Sequence, residues 1–171
     1  MDFYLQRLQN AIVSVTDGMS AQSLRQHPEG KWCTAEILEH LYLTYTGTIK
    51  GFARCLEAGK PLAHTPTWND RLRTFVVVGI GYLPEGRTAP QNTTPRGLPP
   101  EQVLAEVAEK ISAMDAVIAE AEAKYGKGTK LLDHPILGPL QGQEWRKFHW
   151  VHGRHHVKQI ATLRAECSSR N

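Results

Sequence analysis

Between Pro99-Pro100 and Gly126 the chain sets Val103, Val107, Ile111, Met114 and Ile118 at spacings of three and four residues. Residues so spaced share one face of an α-helix, because each residue turns the chain by about 100°. The prolines suit a first helical turn and the glycine a stop. A helix of this length with one apolar stripe must bury that stripe against something, and its neighbours in the sequence are also helical.

Three further segments have the same character. Residues of about 2–16 carry Phe3, Leu5, Leu8, Ile12 and Val15 close to one stripe. The segment "TAEILEHLYLTYTGTIKGFARCLEAG" opens on Thr34 as an N-cap with Glu36 in the first turn. It closes at Gly59, with Pro61 just beyond. The last helix runs from about Gln143 to Cys167. Between the second and third long helices, "WNDRLRTFVVVGIGYLPEGRTAPQNTTPRGLPP" predicts a shorter helix to about Val78, although the β-branched run Thr74–Val78 also admits a strand. Residues 79–100 are dense in Pro, Gly, Thr and Asn. They read as an irregular crossover that either covers a site or has no fixed structure. A turn-rich join, "DHPILGP", leads into the last helix. The pattern predicts an all-α chain, one domain over residues 1–171. It is a four-helix bundle with a long Pro/Gly-rich crossover between the second and third main helices.

The balance of 20 basic and 17 acidic residues, spread without a block, argues against a nucleic-acid surface. No run approaches the ~18 apolar residues of a membrane span. The opening residues read as an amphipathic helix rather than a signal peptide. Cys33, Cys55 and Cys167 are too scattered for a disulfide framework or a CxxC pair, which places the chain in the cytoplasm.

The chemistry concentrates in "FHWVHGRHHVKQI", residues 148–160, which holds four of the eight histidines. His152 and His156 stand at i and i+4 and therefore on one helical face, within an arc that also takes in Trp145, His149, Ile160 and Leu163. His155 points elsewhere. Two neutral imidazoles on adjacent turns can hold one divalent ion, and a third ligand must come from another helix. The best candidate is His40, flanked on its helix by Ile37, Leu41 and Tyr45. The same spacing is equally that of hydrogen-bonded core histidines, so spacing alone leaves both readings open. His27 and His64 read as surface residues and His134, before Pro135, as a turn former. His149 is either a supporting donor or a core neighbour. Glu36, one turn before His40, is either a carboxylate orienting that imidazole or a first-turn acid. Gln159 can bond a bound water or substrate, or pair with a neighbouring helix. Tyr42 and Tyr45 are weaker donor candidates near His40. Cys33 is a weak candidate nucleophile.

The stretches "W…AEILEHL" and "HPILGPL…EWRKFHWVHGRHHVKQI" resemble the DinB/YfiT-like superfamily, in a branch known mainly as a domain of unknown function. The family pattern is a histidine early in the second helix, then His-x-x-x-His followed by x-x-Gln in the last. Here these positions are His40, His152, His156 and Gln159. The resemblance implies a bundle of that type holding a divalent transition metal, zinc or nickel, on His40, His152 and His156. Characterised relatives include transferases using low-molecular-weight thiols and a thiol-dependent isomerase. The resemblance therefore implies metal-assisted thiol transfer, or hydrolysis, of a small-molecule substrate at a pocket beside the ion, in a chain able to form a homodimer. Two alternatives stand beside it: a non-catalytic bundle that binds a small ligand or uses its metal for stability alone, and a metal-free interaction protein.

Overall fold

The computed structural model describes residues 1–83 and 89–168; of the crossover at 79–100, residues 84–88 lie outside it, as do the side chains of Cys167 and Ser168. The chain is mostly helical. Four long helices dominate: α1 (Phe3–Thr16), α3 (Thr34–Glu57), α5 (Pro100–Tyr125) and α6 (Gly142–Ser168). Two short ones, α2 (Ala21–Arg25) and α4 (Trp68–Thr74), lie in the connections. Helix α3 packs along α5 and α1 along α6, and all four meet in one apolar core.

The α5 stripe behaves as its spacing requires, with Val103, Val107, Ile111, Met114 and Ile118 all buried. In α1, Leu5, Leu8 and Ile12 are buried, but Phe3 is 66% exposed and leaves the stripe. Helix α3 begins one residue earlier than expected. Cys33 is its N-cap, and Glu36 closes a capping box by accepting the Cys33 N–H at 2.9 Å.

The segment that admitted helix or strand is helical. Helix α4 runs directly into a π-helical turn, Phe75–Ile80, which ends on left-handed Gly81. β-Branched residues lower helix propensity only slightly, and Val77 and Val78 are buried against the core, which outweighs it. The join before α6 is a small antiparallel hairpin, β1 (Leu132–His134) with β2 (Gly138–Leu140), in which Leu132 faces Leu140 and His134 faces Gly138. Its tip accepts hydrogen bonds from Thr74 and Arg73 through the carbonyls of Leu137 and Ile136. Gly138 has φ +75°, and a Cβ there would lie 2.6 Å from the Asp70 carboxyl carbon, so no larger residue fits.

Helices α1 and α6 pack closely at Gly153, where an added Cβ would run into Leu8 Cδ1. Leu8 is fully buried and cannot swing aside. Gly153→Ala gains up to ~1 kcal/mol of helix propensity but incurs an overpacking cost of roughly 1–3 kcal/mol. The expected result is a net loss of about 1–2 kcal/mol in a denaturant melt, one residue from a candidate ligand.

Candidate metal centre

His40 lies in the second turn of α3, His152 and His156 on successive turns of α6, and the fold brings the three rings together. The ring nitrogen Nε2 of His152 is 3.2 Å from Nε2 of His40 and 3.1 Å from Nε2 of His156. Each ring meets the others nearly edge-on, with centroids 4.6–5.1 Å apart. His40 and His156 are buried and His152 is half-buried.

Hydrogen bonding fixes where the protons sit. The Thr93 carbonyl, 2.9 Å from His40 Nδ1, can only accept, so Nδ1 carries the hydrogen and Nε2 is a bare lone pair. Gln159 Oε1 likewise takes the His156 Nδ1–H at 2.8 Å, while its amide nitrogen donates to His155 Nε2 at 3.1 Å. Two lone pairs thus aim at His152 Nε2. His152 has one proton to offer and its Nδ1 is buried without a partner among the described residues, so no tautomer satisfies the whole cluster.

Burial holds all three rings in the neutral state. It pushes His156 down to about 3, with His40 adding to the effect. It lowers His40 against the opposing pull of the Thr93 carbonyl, and His152 well below its ordinary value, with its two neighbours reinforcing the shift. Three neutral imidazoles with ligand atoms within 4.8 Å of one another are a donor set for a borderline transition ion. Metal–nitrogen bonds of 2.0–2.1 Å put ligand atoms about 3.3 Å apart in a tetrahedron and about 2.9 Å apart on an octahedral face. The edges from His152 to His40 and to His156 fall between these values, and the three ligand atoms all lie within 4.8 Å of one another. The residues present therefore fit such an ion.

The supporting residues sort differently from their sequence reading. Gln159 touches the cluster, through His156. Glu36 does not reach His40. Its carboxylate is held by the Cys33 N–H and lies 3.6 Å from His27 Nδ1, which completes the helix cap, and the Thr93 carbonyl orients His40 instead. His149 is a core residue: it donates Nε2–H to Thr48 Oγ1 at 3.0 Å, stacks on Trp145 and leaves Nδ1 unpartnered. Thr48 spends its own hydroxyl proton on the Thr44 carbonyl, which forces that assignment. His134 is the expected turn former, its Nδ1 accepting the N–H groups of Ile136 and Leu137. It is also packed 4.2 Å from the Phe148 ring. Tyr45 is wholly buried and Tyr42 bonds Glu106, so neither hydroxyl engages the histidines. Burial pushes the Cys33 thiol up, away from a nucleophile.

Two features had no sequence signal strong enough to find. The crossover supplies the Thr93 carbonyl, a backbone atom no motif encodes. Beside His40, the buried Glu39 accepts the N–H groups of Arg96, Gly97 and Leu98 at 2.7, 3.0 and 3.1 Å and straps that crossover onto α3. Aromatic walls complete the surroundings: Trp32 lies 5.2 Å from the His40 ring, and Phe148 stacks on His152 at 9°. A cleft of about 540 Å³ is lined by none of the three histidines and so is not the pocket expected beside the triad.

Among the described residues no helix is long and apolar enough to cross a membrane. No curated protein and no solved structure matches the chain. A family model does, over residues 1–162, and by that match the chain belongs to the family described as "Protein of unknown function (DUF1569)".

Proposed function

We propose that the chain is a DinB-like four-helix-bundle protein that holds one zinc or nickel ion on His40, His152 and His156. The proposed activity is a metal-dependent transferase using a low-molecular-weight thiol, or a hydrolase. One observation carries the reading: three neutral imidazoles bring ligand nitrogens within 4.8 Å of one another with no proton arrangement that satisfies them all. Bound there, such an ion supplies Lewis acidity toward a thiolate, a water or a carbonyl oxygen.

The chain's own residues have definable tasks around it. Thr93 and Gln159 hold the Nδ1 protons of His40 and His156, which keeps both Nε2 lone pairs turned inward. Phe148 fixes the plane of His152 by stacking, and Trp32 covers one side of His40. Three protein ligands leave positions for water or substrate, the arrangement of catalytic rather than structural zinc. A second reading, a metal of purely structural use, draws on the burial of His40 and His156.

Elemental analysis of untagged protein tests the metal. The wild type is expected to hold near one equivalent after exposure to zinc or nickel, and His152→Ala and His156→Ala at least ~100-fold weaker binding each. No metal in the wild type after refilling sinks the proposal. Turnover of thiol, ester or amide substrates, with and without added thiol, then separates the enzyme from the structural-metal reading.

A further inference from the structure

The 540 Å³ cleft lies away from the histidines, between the α4–π segment, the hairpin and the first turns of α1 and α6. Its size suits a small organic molecule. Its walls combine apolar surface with charge. Phe75, Val78, Pro66 and Pro139 form the apolar part, and Phe75 is 62% exposed.

The charges are unequal in availability. Both acids that line the cleft are engaged. Asp70 accepts from the Thr67 N–H and hydroxyl at 2.9 and 2.6 Å and faces His64 at 3.3 Å. Glu144 takes Lys130 and the Gln141 N–H at 2.6 and 2.7 Å. Two cations remain. Among the described residues, Arg71, on α4, has the Trp68 ring 5.7 Å away, and Lys147, on α6, has the Gly79 carbonyl at 3.4 Å. Neither has a carboxylate partner among the described residues.

We propose that this cleft binds an organic carboxylate with an apolar body, its charge taken by Arg71 and Lys147 and its body laid against Phe75 and Val78. Arg71 offers a planar fork that matches a carboxylate, Lys147 a mobile ammonium, and they reach in from different elements. The apolar wall sets the preference for aryl or short acyl chains over bare inorganic anions. The site is independent of the triad and stands whether or not the histidines hold metal.

The test is ligand-observed NMR titration of the full chain with 4-phenylbutyrate and octanoate, beside the neutral 4-phenylbutanamide. The carboxylates are expected to bind roughly tenfold tighter than the amide, and Arg71→Gln and Lys147→Gln to weaken them about five- to tenfold each. Phe75→Ala should weaken acid and amide alike, and His152→Ala should leave both unchanged. Arg71 and Phe75 are exposed and Lys147 is half-buried, so these variants are expected to fold. Equal binding of acid and amide, indifference to both cation variants, or no saturable binding of any probe at millimolar concentration overturns the proposal.

Discussion

Arg146→Ala should cost about 3–5 kcal/mol of folding stability, read as a shift of roughly 10 °C or more in thermal unfolding. Arg146, on the second turn of α6, is almost wholly buried. Its Nε donates to Asp115 and its Nη1 to Glu122, both at 2.7 Å, across to α5. Asp115 also accepts the Asp2 backbone N–H at 2.7 Å, so one cluster ties the first residues, α5 and α6 together. Deleting the guanidinium leaves two carboxylates with little access to water and no cation, the most expensive way to break such a group. Replacing Arg146, Asp115 and Glu122 together by apolar residues of similar size should restore much of the loss, since the penalty belongs to unpaired charge rather than to the site.

That cluster shows where sequence reasoning reaches and where it stops. The four long helices were legible because each carries an apolar face at helical spacing, and in α5 every stripe residue is in the core. Phe3 was misplaced because a stripe gives only direction: the first residue of a helix faces whatever lies beyond its end, here solvent. The hairpin went unseen because three-residue strands leave no period to detect, and only Gly138 and the His134–Pro135 turn marked the place. Arg146 and its partners are separated by 24 and 31 residues, and no local pattern pairs them.

The candidate site divides the same way. His152 and His156 could be paired from spacing, because i and i+4 share a face on any helix. His40 could be offered as the third member from its apolar flanks, yet its distance to His152 belongs to the packing of α3 beside α6. Glu36 was offered as its orienting group on the same one-turn logic and proves to be a cap, since a first-turn acid finds free N–H groups nearer than a side chain one turn away. The partner His40 does have is a main-chain carbonyl from a segment 53 residues on, delivered by a crossover whose composition indicates only irregularity.

What delivers it is Glu39, and Glu39→Ala should therefore act twice. The carboxylate is 2% exposed and accepts three backbone N–H groups from Arg96, Gly97 and Leu98. Charge-assisted bonds of this kind contribute about 1.5–3 kcal/mol each when intact. Freed donors on the crossover can recover water, so the net loss should be roughly 3 kcal/mol rather than the full sum. Glu39→Gln should fare nearly as badly, because one end of an amide presents N–H groups to N–H groups. The second effect is on the histidines. Thr93 stands three residues before Arg96 on the same strap, and releasing the strap removes the acceptor that holds the His40 Nδ1 proton. Metal affinity per folded molecule, measured by chelator competition, should fall about 10- to 100-fold in Glu39→Ala. Arg146→Ala supplies the control. It destabilises the chain at least as much, but its partners are Asp115 and Glu122 on α5, and it lies six residues from His152, about 9 Å along α6. If both variants bind zinc or nickel as tightly as the wild type once folded, the crossover does not position His40. If both lose affinity in proportion to stability, the effect is global. A loss confined to Glu39→Ala would mean that the irregular crossover serves as the outer wall of the centre, with a buried carboxylate as its anchor.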